Sequence, residues 1–156
     1  MIYLALGSNL GDREANLRLA RLSLAPQVQV LAASPIYETA PWGYLDQPPF
    51  LNQVLQAASD LSPIDLLAHL KQIEEQMGRK PNFKNGPRLV DLDILFYHDQ
   101  VINQDGLVIP HPLLAERAFV LVPLADLAPD LRHPVLGLTA VEMLASINRD
   151  GVVLHL

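Results

Sequence analysis

Two aspartates interrupt an apolar segment near the middle of the chain, within residues 86–96. Asp91 and Asp93 alternate with large apolar residues, which is the pattern of a β-strand. Side chains two positions apart on a strand point to the same face, roughly 6.5–7 Å apart along the backbone. Paired carboxylates beside apolar neighbours are unfavourable unless a cation lies between them, and a hard divalent metal such as Mg²⁺ suits them. The pair therefore predicts metal-assisted phosphoryl chemistry.

The same alternation predicts how the strand divides its side chains between two faces. One face is expected to hold Val90, Leu92, Ile94 and Phe96, and the other Asp91, Asp93, Leu95 and Tyr97.

A basic segment precedes the two aspartates. Residues 78–90 contain no acidic residue, and they carry Arg79, Lys80, Lys84 and Arg88. Taken alone, such a segment is more often a solvated loop than a binding site. Next to two carboxylates, however, it favours the binding of a polyphosphate–metal complex.

Composition limits the remaining possibilities. The chain has 156 residues, half of them hydrophobic, which predicts a single domain over residues 1–156 with a sizeable core. A net charge of −6 argues against nucleic-acid binding. There is no cysteine, no apolar run long enough to span a bilayer, and no basic start typical of a signal peptide. We therefore expect a cytoplasmic protein that binds neither nucleic acid nor membrane.

The first part of the chain alternates strand and helix patterns. Strands are predicted at residues 2–6, 28–37 (interrupted by Pro35), 50–58 and from residue 90 onward, and helices at 13–24 and 63–77. The second helix is expected to bury one face consisting of Ile64, Leu67, Leu70, Ile73 and Met77. The order βαββαβ predicts an α+β fold, with helices packed on one face of an antiparallel sheet.

The second part of the chain is read as shorter elements. We expect a loop over residues 38–49, a hairpin over 101–109, short helical pieces broken by prolines, a helix at 139–148 and a final strand at 152–156.

Several polar and aromatic residues can be interpreted as either structural or functional. The glycine-containing segment 7–12 lacks the lysine of a P-loop and the spacing of a dinucleotide fingerprint, so it is read as a structural turn. His111 gains catalytic weight only if the hairpin returns it to the carboxylates. Trp42, Phe50 and Phe119 are either core residues or a slot for a planar ring. Asn52 could read the edge of a heterocycle.

Motifs spread along the chain resemble one family, the 6-hydroxymethyl-7,8-dihydropterin pyrophosphokinases of folate biosynthesis. The most specific of them is Gly-Pro-Arg followed by Asp-Leu-Asp-Ile-Leu, at residues 86–88 and 91–95. The others lie at residues 7–12, 37–41, 47–48, 50–52, 74–79, 110–111 and 117–124. The resemblance implies a ferredoxin-like α+β fold, usually without fusion partners at this length, and we expect a monomer.

The resemblance also implies a reaction and a set of residue roles. The pyrophosphoryl group of ATP would move to the hydroxymethyl oxygen of the pterin, and AMP would leave. Asp91 and Asp93 would hold two Mg²⁺ ions, and Asp93 would help to deprotonate the pterin hydroxyl. Charge on the phosphates would be neutralised by Arg79 and Arg88. ATP would further contact Glu74, Ile94, His111 and Arg117. The pterin pocket would consist of Thr39, Pro41, Trp42, Gly43, Phe50, Asn52 and Phe119.

The chain departs from the family pattern at three places. Asn85 stands where the family often has tryptophan, so a stacking lid over the pterin would need Phe83 instead. A second arginine after Arg79 is replaced by Lys80 or Lys84, which lack bidentate geometry. Pro112 replaces an aromatic residue after the histidine. We expect the loop 78–87 to be mobile without ligand and to close over both substrates.

Two other functions compete with this one. A kinase on the same fold would transfer a single γ-phosphoryl group and release ADP. A non-catalytic ferredoxin-like module would bind a small regulatory ligand, but it would not need Asp91, Asp93, Arg79 and Arg88 together.

Overall fold

A computed structural model describes residues 1–41, 45–78 and 89–156 of the chain. The strands are β1 (Ile2–Ser8), β2 (Val28–Ala33), β3 (Tyr37–Thr39), β4 (Phe50–Ser59), β5 (Asp91–Tyr97), β6 (Ile102–Gln104), β7 (Leu107–Ile109) and β8 (Val152–Leu154). The helices are α1 (Arg13–Ser23), α2 (Pro63–Gln76), α3 (Ala118–Leu127) and α4 (Ala140–Ala145), with a 3-10 turn at Leu114–Glu116.

Six strands form one antiparallel sheet in the order β5-β1-β4-β3-β8, and β2 pairs with another part of β4. The strands β6 and β7 form a separate hairpin, as the sequence predicts for this region. The central strand β1 has β4 on one side and β5 on the other, so residues far apart in sequence become neighbours across it.

Helices cover both faces of the sheet. The helices α1 and α2 bury Leu17, Ala20, Leu66 and Leu70 against one face, which is the packing that the βαββαβ order predicts. The other face is covered in part by α3 and α4, whose buried residues include Leu121. The architecture is therefore α+β, with helices on both faces rather than on one.

Local sequence signals set the helix starts. Asp12 accepts a hydrogen bond from the Ala15 backbone N–H at the start of α1, and Ser62 caps α2 ahead of Pro63. The helix α4 begins with a capping box between Thr139 and Glu142. It ends at Ala145, three residues earlier than the pattern predicts.

The predicted strand at residues 28–37 is two strands. Ser34 and Pro35 separate β2 from β3, and Ser34 instead bonds to the backbone of Val54, with its N–H donating to the carbonyl and its hydroxyl accepting from the N–H. The predicted loop at residues 38–49 begins two residues later, because Glu38 and Thr39 belong to β3.

The buried face of α2 also differs from the prediction. Ile64 is 57% exposed, whereas Leu66 is fully buried with Leu70 and Ile73. Glu74 completes this face although its side chain is polar, because its carboxyl group accepts a hydrogen bond from the backbone of β5. A hydrophobic pattern cannot anticipate a buried glutamate that has such a partner.

The predicted alternation along β5 holds only as far as Ile94. Tyr3 pairs with Phe96 while the next residue, Leu4, pairs with Ile94, so Leu95 is an extra residue in the ladder. As a result, Phe96 packs on the α3 side with Leu95, and Tyr97 packs on the α2 side. The prediction that Phe96 shares a face with Leu92 is therefore wrong.

None of the helices in residues 1–41, 45–78 and 89–156 combines the length and apolar character needed to cross a bilayer.

Candidate active site

A cavity of about 110 Å³ opens on the face of the sheet that α3 only partly covers. It gathers residues from four strands, the start of α3 and the segment after β7. Its lining consists of Ala5, Leu6, Gly7, Thr39, Ala40, Phe50, Asn52, Gln53, Val54, Asp91, Asp93, Leu95, His111, Arg117, Phe119 and Val120.

The cavity floor follows from the strand register. Gly7 on β1 lies between Asp91 on β5 and Asn52 on β4. One row further, Ala5 lies between Asp93 and Val54. Neighbouring strands are about 4.8 Å apart, so the backbones of β5 and β4 stand about 10 Å apart across β1. The two rows thus separate an acidic wall on β5, formed by Asp91 and Asp93, from a wall on β4 that carries the amide of Asn52.

Asp91 and Asp93 form the acidic wall. Both pair with alternate residues of β1 on the cavity side, which confirms the prediction that they share a face. Both side chains are partly exposed, and Leu92 between them is buried on the other face. Half-exposed carboxylates on one strand face are suitable ligands for Mg²⁺, which usually keeps several waters and is bound by one or two carboxylates.

His111 lies beside the acidic wall, because its backbone N–H donates a hydrogen bond to the Leu95 carbonyl oxygen at a distance of 3.0 Å. Its Nδ1 accepts a hydrogen bond from the Leu113 N–H at 3.2 Å, which places the ring proton of the neutral form on Nε2. Burial, together with the positive charge of Arg117, lowers the pKa of His111 to about 4, against the opposing effect of Asp91. At neutral pH the ring is an uncharged hydrogen-bond donor.

Arg117 is the residue that immediately precedes α3. Burial lowers the pKa of its guanidinium, and the carboxylates of Asp93 and Asp91 act in the opposite direction. The guanidinium lies over the ring of Phe119, 5.5 Å from its centroid. A cation, a neutral imidazole and two carboxylates therefore meet at one side of the cavity.

The opposite side carries the aromatic and amide groups. The Asn52 Nδ2 donates to the Thr39 hydroxyl at 2.7 Å, and both residues are buried. Phe50 and Phe119 also line the cavity, one from β4 and the other from α3. Four of the residues predicted to bind a planar ring therefore line one cavity: Thr39, Phe50, Asn52 and Phe119.

Three predicted site residues lie outside the cavity lining. Glu74 is 4% exposed, and its carboxylate accepts a hydrogen bond from the Leu92 N–H at 2.8 Å. The side chain of Ile94 lies in the core on the opposite face of the sheet, so only its backbone is placed to meet a ligand. Pro41 is half-buried and follows Ala40, which does line the cavity.

Several predictions fall on residues outside the described ranges. These are the roles of Trp42, Gly43, Arg79 and Arg88, the alternatives Phe83 and Asn85 for the lid, and the closure of the loop 78–87.

Sequence reasoning missed three contributions to the site. Gly7, read as part of a structural turn, belongs to β1 and lines the cavity together with Ala5. Asn9, which is buried, donates from Nδ2 to the Gln47 Oε1 at 2.9 Å and to the Pro48 carbonyl at 3.0 Å. Small residues and a long-range amide contact carry no local sequence pattern, so they become identifiable only in the folded chain.

Known proteins resemble the chain over most of its length. It is 42% identical to the 2-amino-4-hydroxy-6-hydroxymethyldihydropteridine pyrophosphokinase of Aquifex aeolicus, over 86% of this chain and 84% of that protein. The protein of the same name from Methylorubrum extorquens is 43% identical, over 96% and 95%. The chain also matches the folic acid synthesis protein FOL1 of Dictyostelium discoideum at 44% identity, but it spans only 23% of that longer protein.

Solved structures confirm the fold. The chain superposes on a crystal structure of HPPK-DHPS in complex with substrates with a TM-score of 0.74 at 16% identity, over 93% of this chain and 43% of the other. Wild-type HPPK-DHPS from Plasmodium falciparum gives the same TM-score at 18% identity, over 93% and 41%. These similarities support the predicted ferredoxin-like α+β fold. The sequence model of the 7,8-dihydro-6-hydroxymethylpterin-pyrophosphokinase family matches residues 3–129, and the chain belongs to that family.

Proposed function

We propose that the chain transfers the pyrophosphoryl group of ATP to the hydroxymethyl oxygen of 6-hydroxymethyl-7,8-dihydropterin and releases AMP. The observation that carries the proposal is the two-sided cavity, with Asp91 and Asp93 on one wall and Asn52 on the other. The names of the relatives from Aquifex aeolicus and Methylorubrum extorquens give the same substrate.

Asp91 and Asp93 are the residues that would hold Mg²⁺, and we propose two ions. Their oxygen donors, partial exposure and position at the cavity fit a metal that also binds substrate phosphates. When bound, the ions neutralise charge on the phosphates and favour an in-line displacement at the β-phosphorus. Asp93 would also accept the proton of the pterin hydroxyl.

His111 and Arg117 would orient the triphosphate on the acidic side of the cavity. The Nε2–H of the neutral imidazole can donate to a phosphate oxygen, while the guanidinium offers a permanent positive charge. Arg79 and Arg88 would neutralise charge as it develops on the transferring group. Glu74 and Ile94 would border the nucleotide from the edge of β5.

The pterin would lie over the floor of the cavity, on the side of β4. Phe50 and Phe119 would flank the ring, and Asn52, oriented by Thr39, would read its edge. Pro41, Trp42 and Gly43, which follow β3 in the sequence, would complete the pocket.

Product analysis tests this function. The protein is incubated with ATP, Mg²⁺ and 6-hydroxymethyl-7,8-dihydropterin, and the nucleotide products are separated. We expect AMP and the pterin diphosphate in equal amounts. ADP would indicate the competing γ-phosphoryl transfer, and ATP binding with no turnover would favour the non-catalytic module.

Replacing Asp93 with asparagine tests the role of the carboxylates. We expect AMP formation to fall by about 100-fold or more, because the loss of a charged metal ligand exceeds the 10–100-fold effect typical of its supporting residues. The matched control is Asp99→Asn, which changes an exposed carboxylate in the turn after β5. Equal activity in the two variants would contradict the metal role.

We also propose that the protein is a monomer in the cytoplasm that acts on these small molecules and binds neither nucleic acid nor membrane. Light scattering of the purified chain tests the oligomeric state.

A further inference from the structure

The floor of the cavity is made by residues whose side chains are almost absent. Gly7 and Ala5 are the two residues of β1 that face the cavity between β5 and β4. Tyr3, the next residue of β1 on this face, is large and packs against Phe96 in the core. The floor is therefore low only where the cavity lies.

Gly7 is not required by the backbone conformation. It lies in the middle of a regular antiparallel register, and its φ is outside the left-handed region that favours glycine. The requirement is for space. A Cβ at this position would stand 3.1 Å from the Asn52 Oδ1 and 3.7 Å from Cδ1 of the Phe50 ring.

The close approach to Asn52 has a second consequence. The Asn52 amide is anchored at its nitrogen by the Thr39 hydroxyl, and its oxygen lies over Gly7. A methyl group on residue 7 would displace that oxygen by a few tenths of an ångström while the nitrogen stays bound. The amide would then turn away from the orientation in which we propose that it reads the edge of a heterocycle.

We propose that Gly7 and Ala5 determine the specificity of the site for a planar, bicyclic pterin. This inference rests on the proposed function. Their small size leaves the trough between the acidic wall and Asn52 open, so that the ring can lie low enough to place its hydroxymethyl group near Asp93. A methyl group on residue 7 would fill the trough on the side of β4, because the three atoms nearest to it belong to Asn52, Phe50 and Leu51.

The test compares Gly7→Ala and Ala5→Val with controls of matched added volume. Gly137→Ala adds a methyl group that meets nothing within 4 Å, in a loop at a positive φ. Ala33→Val adds the same volume as Ala5→Val at an exposed position on β2. For each variant, the KM for the pterin is measured at saturating ATP, the Kd for ATP by calorimetry, and the Tm by thermal unfolding.

We expect the pterin KM to rise about tenfold or more in Gly7→Ala and Ala5→Val, since one methylene in a pocket alters selectivity by about 10–200-fold. The Kd for ATP should change by less than about twofold in Gly7→Ala and in the two controls. In Ala5→Val, whose added methyl groups also lie beside Asp93, it should rise by less than the pterin KM. In the two controls the pterin KM should stay at the wild-type value. If Gly7→Ala fails to fold, Ala5→Val alone decides the result.

A wild-type pterin KM in both floor variants would overturn the inference, as would a parallel rise in the pterin KM and the ATP Kd. Either result leaves the proposed function intact, because the wild-type protein would still form AMP. A wild-type protein that forms no AMP would overturn both the proposed function and the inference.

Discussion

His111 is held as a neutral imidazole by its surroundings rather than by a single partner. Its Nδ1 accepts the Leu113 N–H, and the ring is partly buried close to the guanidinium of Arg117. Protonation of Nδ1 would break the hydrogen bond and place two cations together. The side chain therefore couples the geometry of the site to the pH dependence of folding.

Replacing His111 with asparagine should flatten that pH dependence. The pKa of about 4 in the folded protein lies below the ordinary value of 6.5, so the unfolded chain binds more protons between these pH values. The contribution of the neutral His111 to the free energy of unfolding is therefore fully present above pH 6.5, and it is lost as the pH falls towards 4. Urea unfolding at several pH values should give a slope shallower in the variant by up to about 1.4 kcal/mol per pH unit.

Asparagine is chosen because its Oδ1 can accept the Leu113 N–H in place of Nδ1. The pKa of His133 is also lowered by burial, but that residue contributes equally to both proteins. Identical slopes for the variant and the wild type would contradict the assignment.

At the residue scale, the sequence predicted the charged groups and missed the small ones. Asp91 and Asp93 are identifiable because charge within an apolar run demands an explanation. Gly7 and Ala5 are ordinary strand residues whose meaning arises only when β4 and β5 flank them. Their role depends on space, and space is a property of the folded sheet.

Among the elements, α2 is linked to the edge of the sheet by a buried carboxyl group. The Glu74 carboxylate accepts the Leu92 N–H on β5, the outermost strand next to β1. A buried N–H without an acceptor is costly, so this contact holds the strand that carries Asp91 and Asp93. The residue predicted to border ATP thus also supports the acidic wall.

Removing this carboxylate should cost stability. We expect Glu74→Ala to lower the free energy of unfolding by about 1–3 kcal/mol, because the Leu92 N–H loses its acceptor. The control is Glu75→Ala, the neighbouring exposed glutamate on the same helix. Urea unfolding of both variants checks this, and equal losses would show that the contact contributes nothing specific.

The turn after β1 positions the segment that leads into β4. Asn9 bonds to Gln47 and Pro48, and Arg13 donates to the Pro49 carbonyl at 3.1 Å. Arg13 also forms a 2.8 Å ion pair with Glu38 on β3. Three successive residues are therefore held immediately before Phe50, which lines the cavity.

We expect Asn9→Ala to loosen this segment and to raise the KM for the pterin by about threefold to tenfold, while the Kd for ATP stays within about twofold. The reason is that Phe50 would lose its fixed approach to the cavity, whereas the acidic wall is unaffected. The control is Asn103→Ala, which removes an exposed amide on β6. Steady-state kinetics with each substrate varied decides the matter, and a larger effect on ATP would argue against this positioning.

The presence of most helices and strands was predictable, because hydrophobic periodicity and capping residues can be recognised within a short stretch of sequence. The helix starts at Asp12 and Ser62 follow from their cap residues. What failed depended on partners: the bulge at Leu95 arises from pairing with β1, and the buried face of α2 depends on the edge of β5. Neither partner is visible from the local pattern.

Across the whole molecule, the acidic wall and the wall that carries Asn52 are supported by opposite parts of the sheet. The acidic wall lies on β5 at one edge, and Thr39 lies on β3 towards the other edge. The outer side of β3 is covered by β8, with Thr39 paired to Val152. The final residues add two contacts, from the His155 N–H to the Ile36 carbonyl at 2.9 Å and from its ring to Glu14 at 2.5 Å.

Removing residues 152–156 should therefore weaken pterin binding more than ATP binding. Without β8 the edge of β3 is uncovered, and the Thr39 hydroxyl that orients Asn52 loses its support, while β5 keeps its pairing with β1. We expect the unfolding free energy to fall by about 1–3 kcal/mol, as for the loss of a few backbone hydrogen bonds, and the pterin KM to rise severalfold. The control deletes only the fully exposed Leu156. Calorimetry with ATP and steady-state kinetics with the pterin check the asymmetry, and a Kd for ATP that rises as much as the pterin KM would show that the sheet transmits the loss to both walls.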